Sequence, residues 1–551
     1  MDNNQSRQKL NDLSEELLHT IWISDPVGAT LIGIHEYDDT LGDVSASALL
    51  GYGKQFNSYV ELLESKVDPS TLDIEKHIDY RIAVSLAYTN YIKLTRQRAW
   101  MNNPAAYVSL AVWGCFGLMV REFAPIEDRL RSMLSRMQEI PEMLKVGRSN
   151  IASPPRVFVE SAIELTDGAI QFFKDSIPEF AQDKNDILRA AGIAATALQD
   201  YNSWLRDMLA QNPDGQFAVG KDIYEQLLFA EHYLTYSPND LVRLAKGMLD
   251  ESQEEIIEVA KKIDPSVSWP ELIVSLKNDH PSPDSLLYEY REAVDSSRRF
   301  TAKRDLVSIP ENALLDVLET PVFERSMIPY AAYLPAPPFE SDRRGILWVT
   351  PVDQSAPSEQ QESKLMGHCL YTIPITALHE GYPGHHLQFT LAAGSESPIR
   401  KQSQSNLVIE GWALYCEQMM HDEGFYTDSR MHLFQLKDLI WRACRVIIDV
   451  WLHTEQMTFD EAVHMLVDVA HLEQDNAVAE VKRYCMSPTQ PMTYLIGKML
   501  IFDMRERMKR RMGSGFSLKA FHDDLLKQGS ISPPLISQIL LGAKGRGQIA
   551  A

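Results

Sequence analysis

The chain has 551 residues, 45% of them hydrophobic and 23% charged, with a formal net charge of −23. That is the composition of a globular protein long enough to bury large cores. So acidic a chain argues against a nucleic-acid partner, because phosphate binding needs a basic surface.

The opening Met1-Asp2-Asn3-Asn4-Gln5 lacks the apolar core of a secretory signal. The longest nearly apolar run, Tyr107 to Val120, falls short of the ~20 residues that span a bilayer and reads as a buried helix. Cys115, Cys369, Cys416, Cys444 and Cys485 are odd in number, scattered and without CxxC spacing. They read as reduced thiols. The expectation is a cytoplasmic protein with no membrane partner.

Apolar periodicity predicts helices from the start, beginning with Leu10, Leu13, Leu17 and Leu18. Residues 24–45 read as a loop, and its His35-Glu36 has no partner histidine nearby. Helical patterns follow at 46–67, 74–100, 106–120, 124–146, 155–175 and 185–211, with breaks at Pro154-Pro155 and Asn212-Pro213. Ser237-Pro238-Asn239-Asp240 caps a helix that runs to about residue 263. Prolines from Pro321 through Pro329 to Pro338 then forbid a long helix. Gly345-Ile346-Leu347-Trp348-Val349-Thr350-Pro351 is the best strand in the chain. Placed as an edge, it could hold an extended substrate by main-chain hydrogen bonds, with Trp348 beside it. Residues 353–363 are a polar loop, and His368 reads as a packing residue.

The chemistry starts at His379-Glu380-Gly381-Tyr382-Pro383-Gly384-His385-His386. In H-E-x-x-H, two histidines one turn apart bind zinc and the glutamate is a general base. Here the second histidine comes at i+6 or i+7. On a straight helix i+6 lies about 240° round, and i+7 is displaced by roughly 10 Å. Neither pair can chelate unless the helix breaks, and Pro383-Gly384 supplies the break. The reading is a bulge that returns His385 or His386 to the metal side. Glu410, opening a second helical stretch, completes a set of two histidines and one carboxylate. Glu417, on the same helical face, is a candidate outer partner for a ligand histidine, or an alternative ligand.

A long helix over about 429–454 carries Arg442, Arg445 and Asp449, spaced for an intrahelical ion pair or for a substrate carboxylate. Thr458 and Glu461 form a capping box. Further on come Arg483, Tyr484, Gln490 and Tyr494. A hydrolase needs a donor for the oxyanion, and a tyrosine hydroxyl can serve. His522-Asp523 adjacency is weak support for any catalytic pairing, and the tail from Gly542 reads as frayed.

His-Glu-Gly-Tyr-Pro-Gly-His-His-Leu-Gln followed by Glu-Gly-Trp-Ala-Leu-Tyr resembles the family catalogued as domain of unknown function 885, over most of the chain. That family is similar to the helical zinc peptidases typified by angiotensin-converting enzyme and thimet oligopeptidase. The widened His–His spacing departs from those peptidases and leaves His385 and His386 both open as ligand. The resemblance implies a mostly α, two-lobed architecture around a deep cleft, with one short β-sheet beside the metal. Residues 1–320 would form one wall, and 321–551 the catalytic half with its edge strand, metal helices and C-terminal helices. It implies one zinc per chain, held by His379, His385 (or His386) and Glu410. Glu380 is then the base, Tyr484 or Tyr494 the oxyanion donor, and Arg483 and Gln490 lie near substrate. The expected substrates are short peptides or small amides. Two other readings use the same residues: a two-histidine, one-carboxylate iron enzyme, and a metal-free peptide-binding module.

Overall fold

Helix signals in the sequence become helices in a computed structural model, which describes residues 3–182, 184–322, 325, 328 and 330–542. Pro329 and the tail beyond Gly542 lie outside the described residues. Expected helices are found at Ala46–Lys66, Ala105–Met119, Asn185–Ala210, Pro238–Ile263 and Ser429–His453. The Ser237–Asp240 and Thr458–Glu461 capping boxes both form. Several details differ from the sequence reading, and the polar loop expected at 353–363 gives way in its second half to a helix, Ser358–Met366. The 74–100 stretch is interrupted, because Ile74–Ile92 passes into a wider π turn at Lys93–Gln97. The 24–45 loop contains a short helix, Pro26–Leu31, whose Asp25 cap accepts from the Gly28 amide while Pro26 occupies the first turn.

Contacts divide the described residues into two compact units, residues 1–231 with 337–341, and residues 232–336 with 342–551. Among the described residues the first unit is helical, with one isolated β-bridge between Pro155 and Asp214. Its fully buried Arg136 donates to the Thr40, Gly114, Pro26 and Tyr37 carbonyls and the Thr30 hydroxyl. A buried guanidinium is tolerable only when its donors are filled in this way. His35 sits between Asp38 at 2.9 Å and Glu340 at 3.3 Å, held as a structural ion pair. Burial works against its protonation, yet the two carboxylates win and raise it to about 9. Among the described residues no helix is long and apolar enough to cross a membrane. All five cysteines are unpaired and buried.

The second unit carries a three-stranded sheet of β1 (Leu315–Glu319), β2 (Ala331–Leu334) and β3 (Gly345–Val349), in the order β1-β3-β2. β1 runs parallel to β3, pairing Leu315 with Gly345 through Glu319 with Val349. β2 runs antiparallel to β3, pairing Ala331 with Val349. The strand expected at 345–351 is therefore present but is not an edge. Both of its backbone edges are engaged, so it cannot take a substrate by strand addition. Leu347, Trp348 and Val349 are buried accordingly, as a central strand requires. β1 and β2 escape the sequence reading because each is short and offers little alternation.

Beside the sheet, helix Leu286–Lys303 packs on helix Ile373–Glu380. Helix Asn406–Asp422 packs on Thr493–Met512. That second contact brings backbone against backbone. A Cβ on Gly411 would lie 2.5 Å from Gly497, and one on Gly497 would lie 2.0 Å from the Leu407 carbonyl oxygen. Only glycines permit the approach.

Candidate metal centre

The break in the histidine motif is real. Helix Ile373–Glu380 stops after Glu380, and a new helix starts at His385 and runs to Ala392. Gly384 makes the turn possible, since a Cβ there would meet the His379 carbonyl oxygen at 1.9 Å and that of Leu378 at 2.4 Å. The Gly384 amide donates to the Leu378 carbonyl at 3.0 Å. From the neighbouring helix the Trp412 indole Nε1 donates to the Pro383 carbonyl at 2.8 Å and pins the bulge. In Glu410-Gly411-Trp412, then, each residue has a separate part: a carboxylate at the cluster, a close helix crossing, and a clamp on the motif. The sequence reading gave no part to Trp412, although its place beside Glu410 was visible.

The bulge brings His379 and His385 together. Their ring centroids are 4.8 Å apart at 84°, and His379, Glu380 and His385 offer ligand atoms within 4.8 Å of one another. Glu410 Oε2 is 3.5 Å from His385 Nε2. Glu417 bonds His379 Nδ1 at 2.7 Å and is itself 2% exposed. That bond leaves Nε2 of His379 for a ligand role, and a carboxylate on the far nitrogen is the usual outer support of a metal-bound imidazole. The donor chemistry of two imidazoles with carboxylates fits zinc or iron. Burial opposes protonation of His379, but Glu417, Glu380 and Glu410 outweigh it and raise its pKa. Burial likewise favours neutral Glu410, but His385, His379 and Tyr494 hold its carboxyl down to about 2. Among the described residues the Glu380 carboxylate accepts no hydrogen bond, so its lone pairs are open.

His386 faces elsewhere. Its Nδ1 pairs with the Tyr333 hydroxyl of β2 at 3.1 Å, and Gly345 leaves room for the ring, since a Cβ there would lie 2.5 Å from that nitrogen. Burial first, then Arg298, push its pKa down to about 4, the Ala313 carbonyl opposing. Thus His386 docks the motif onto the sheet, and His385 is the histidine grouped with His379. His368 packs as expected, its Nδ1 on the Tyr290 hydroxyl at 3.1 Å.

Tyr494, on helix Thr493–Met512, stands beside Glu410, while Tyr484 is committed elsewhere. The Tyr484 hydroxyl accepts from Arg445 Nε at 2.8 Å and from Trp441 Nε1 at 3.2 Å, and its ring is fully buried. Arg445 and Arg483 converge on Glu480 at 3.0 and 2.8 Å, and Arg483 also reaches Gln490 at 3.1 Å. The intrahelical pair expected with Asp449 does not form. Arg445 turns to Glu480, Arg442 lies near Asp438, and Asp449 accepts the Thr489 amide. The partners across helices are nearer than those along the helix. Trp348 is only 5% exposed and has little surface for a substrate. His522 and Asp523 do not pair. Tyr415 donates to His522 Nε2, while Asp523 accepts from the Ser308 amide.

A helical unit that buries a histidine–glutamate cluster across a broken helix and its neighbour is the class defined by these observations. The chain belongs to the family described as bacterial protein of unknown function, DUF885, whose pattern matches residues 26–540. It is similar to a solved structure from Shewanella oneidensis, described as a candidate lipoprotein of unknown function. That chain is 26% identical with a TM-score of 0.81, over 97% of this chain and 99% of that one. A second, from Colwellia psychrerythraea and also described as a candidate lipoprotein, is 18% identical with a TM-score of 0.80, over 97% and 98% of the two chains. It shows the same fold. No curated protein matches the chain.

Proposed function

We propose that the protein is a zinc-dependent hydrolase of short peptides or small amides, with one zinc ion held by His379, His385 and Glu410. The observation that carries this reading is the grouping of His379 and His385 within one cluster with Glu380, whose carboxylate has no hydrogen-bond partner among the described residues. A zinc ion there would supply Lewis acidity toward a water and a carbonyl. Glu380 accepts the proton of the attacking water and returns it to the leaving amine. Glu417 keeps His379 in one tautomer by holding Nδ1. Tyr494, beside Glu410, donates to the oxyanion. The Tyr484 hydroxyl, already holding Arg445 and Trp441, keeps that helix pair in register. Confinement of substrate in a deep cleft belongs to the same proposal. Glu380 favours hydrolysis over iron chemistry, which has no evident need of such a base.

The test is hydrolysis of a mixed library of short peptides and small amides by zinc-loaded protein, beside Glu380→Gln. The expected result is cleavage that falls by roughly 10²–10⁴-fold in the variant while its zinc content stays the same. Full activity in Glu380→Gln would overturn the mechanism.

A further inference from the structure

We infer that Arg442 is the receptor for a carboxylate on the substrate, so that the site selects peptides with a free C-terminus. This deepens the hydrolase reading and rests on it. The whole chain carries −23, yet among the described residues Lys437, Arg442 and Arg445 surround the Trp441 ring, and these three with Arg483 pair with two carboxylates, those of Asp438 and Glu480. This local excess of positive charge adjoins the metal cluster. Tyr494 stands beside Glu410, has the Arg445 guanidinium 4.7 Å from its ring centroid, and feels the charges of Arg483 and Arg442.

The three arginines differ in how far their donors are filled. Arg445 is committed to Tyr484 and Glu480, and Arg483 to Glu480 and Gln490. Arg442 is not filled. Its Nε is buried without a partner. Its Nη1 reaches the Asp438 carbonyl at 3.4 Å and the Asp438 carboxylate at 3.5 Å, both at the long limit of a bond. Its side chain is 13% exposed and its guanidinium lies 4.6 Å from the Trp441 ring centroid. A buried N–H left without a partner is costly. A carboxylate matches that planar fork with two parallel bonds, which no neutral group and no single-point anion does as well.

The carboxylate could belong to a peptide C-terminus or to an acidic side chain, and three matched peptides separate the two sources. The first is neutral in its side chains with a free C-terminus. The second is its C-terminal amide, and the third is that amide with one glutamate added. With zinc-loaded protein, the free acid should exceed the amide by roughly 10–100-fold in kcat/KM, the worth of one charged hydrogen-bond pair. In Arg442→Ala that ratio should collapse towards one, with Arg442→Lys restoring part of it. Preference for the glutamate peptide over the free acid would overturn the C-terminal assignment. An acid-to-amide ratio near one in the native protein would overturn the proposal. So would a ratio that Arg442→Ala leaves intact. Absence of turnover on all three peptides would count against the hydrolase reading instead. The proposal is then decided by calorimetric binding to zinc-loaded Glu380→Gln, where tighter binding of the acid, lost on adding Arg442→Ala, sustains it and equal binding overturns it.

Discussion

Glu417 has no contact with substrate in this account, yet His379 depends on it. Its carboxylate fixes the Nδ1 proton at 2.7 Å from a position that is almost fully buried. Glu417→Gln keeps the shape and a hydrogen-bond acceptor but removes the charge. The expected outcome is a 10–100-fold weaker affinity for zinc, read by competition with a chromophoric chelator, with helix content unchanged. Unaltered affinity would show that Glu417 is only a packing residue. At this scale the sequence was partly readable. His379, Glu380, Glu410 and Glu417 stand out because metal chemistry needs those residue types, and helical spacing put the two later glutamates on one face. The choice between His385 and His386 was not readable, because the bulge backbone decides which ring turns to His379 and which to Tyr333. Nor was it readable that Tyr484 bonds Arg445 while Tyr494 stands beside Glu410, since both depend on how two helices are rotated.

The elements are placed by glycines as much as by apolar stripes. Gly411 and Gly497 let the Glu410 and Tyr494 helices touch at the backbone, which sets Tyr494 beside Glu410. Gly497→Ala must push the helices apart, and we expect a loss of at least 1–3 kcal/mol in urea unfolding. Gly168 offers the opposite sign. It lies in helix Arg156–Gln171 with nothing within 4 Å of its would-be Cβ. Gly168→Ala should therefore stabilise by about 0.5–1 kcal/mol through the unfolded chain and helix propensity. Equal effects from both substitutions would show that the close crossing is not limiting. A glycine inside a helical pattern reads only as a weakness in the sequence, since nothing local says which neighbour presses on it. The same limit hid β1 and β2. Leu315-Asp-Val-Leu-Glu319 and Ala331-Ala-Tyr-Leu334 become strands only because β3 lies between them, so the expected edge strand turned out to be the middle one. Long helices such as Pro238–Ile263 were legible because their periodicity and caps are local.

At the scale of the molecule, burial has produced a set of histidines that resist protonation. His368, His386, His453 and His522 are each pushed down to about 4, with burial as the main cause. In the unfolded chain a histidine titrates near 6.5. Between those values the unfolded state binds more protons, so stability is full above about pH 6.5 and is lost as the pH falls toward 4. Each such histidine is worth roughly 3 kcal/mol over that window. His522→Gln, which can keep a bond to Tyr415, should flatten the pH dependence of unfolding by about one proton between pH 6.5 and 4. Parallel curves for native and variant protein would contradict the assignment.

Elemental mass spectrometry decides whether His379, His385 and Glu410 hold a metal. The protein is purified without chelator or affinity metal, beside His379→Ala, Glu410→Ala and Glu380→Gln. We predict about one zinc per chain in the native protein and in Glu380→Gln, and its loss from the other two variants. Iron in its place would move the chemistry to oxygen. No metal in native protein even after zinc is added, or metal retained by both His379→Ala and Glu410→Ala, would contradict the account.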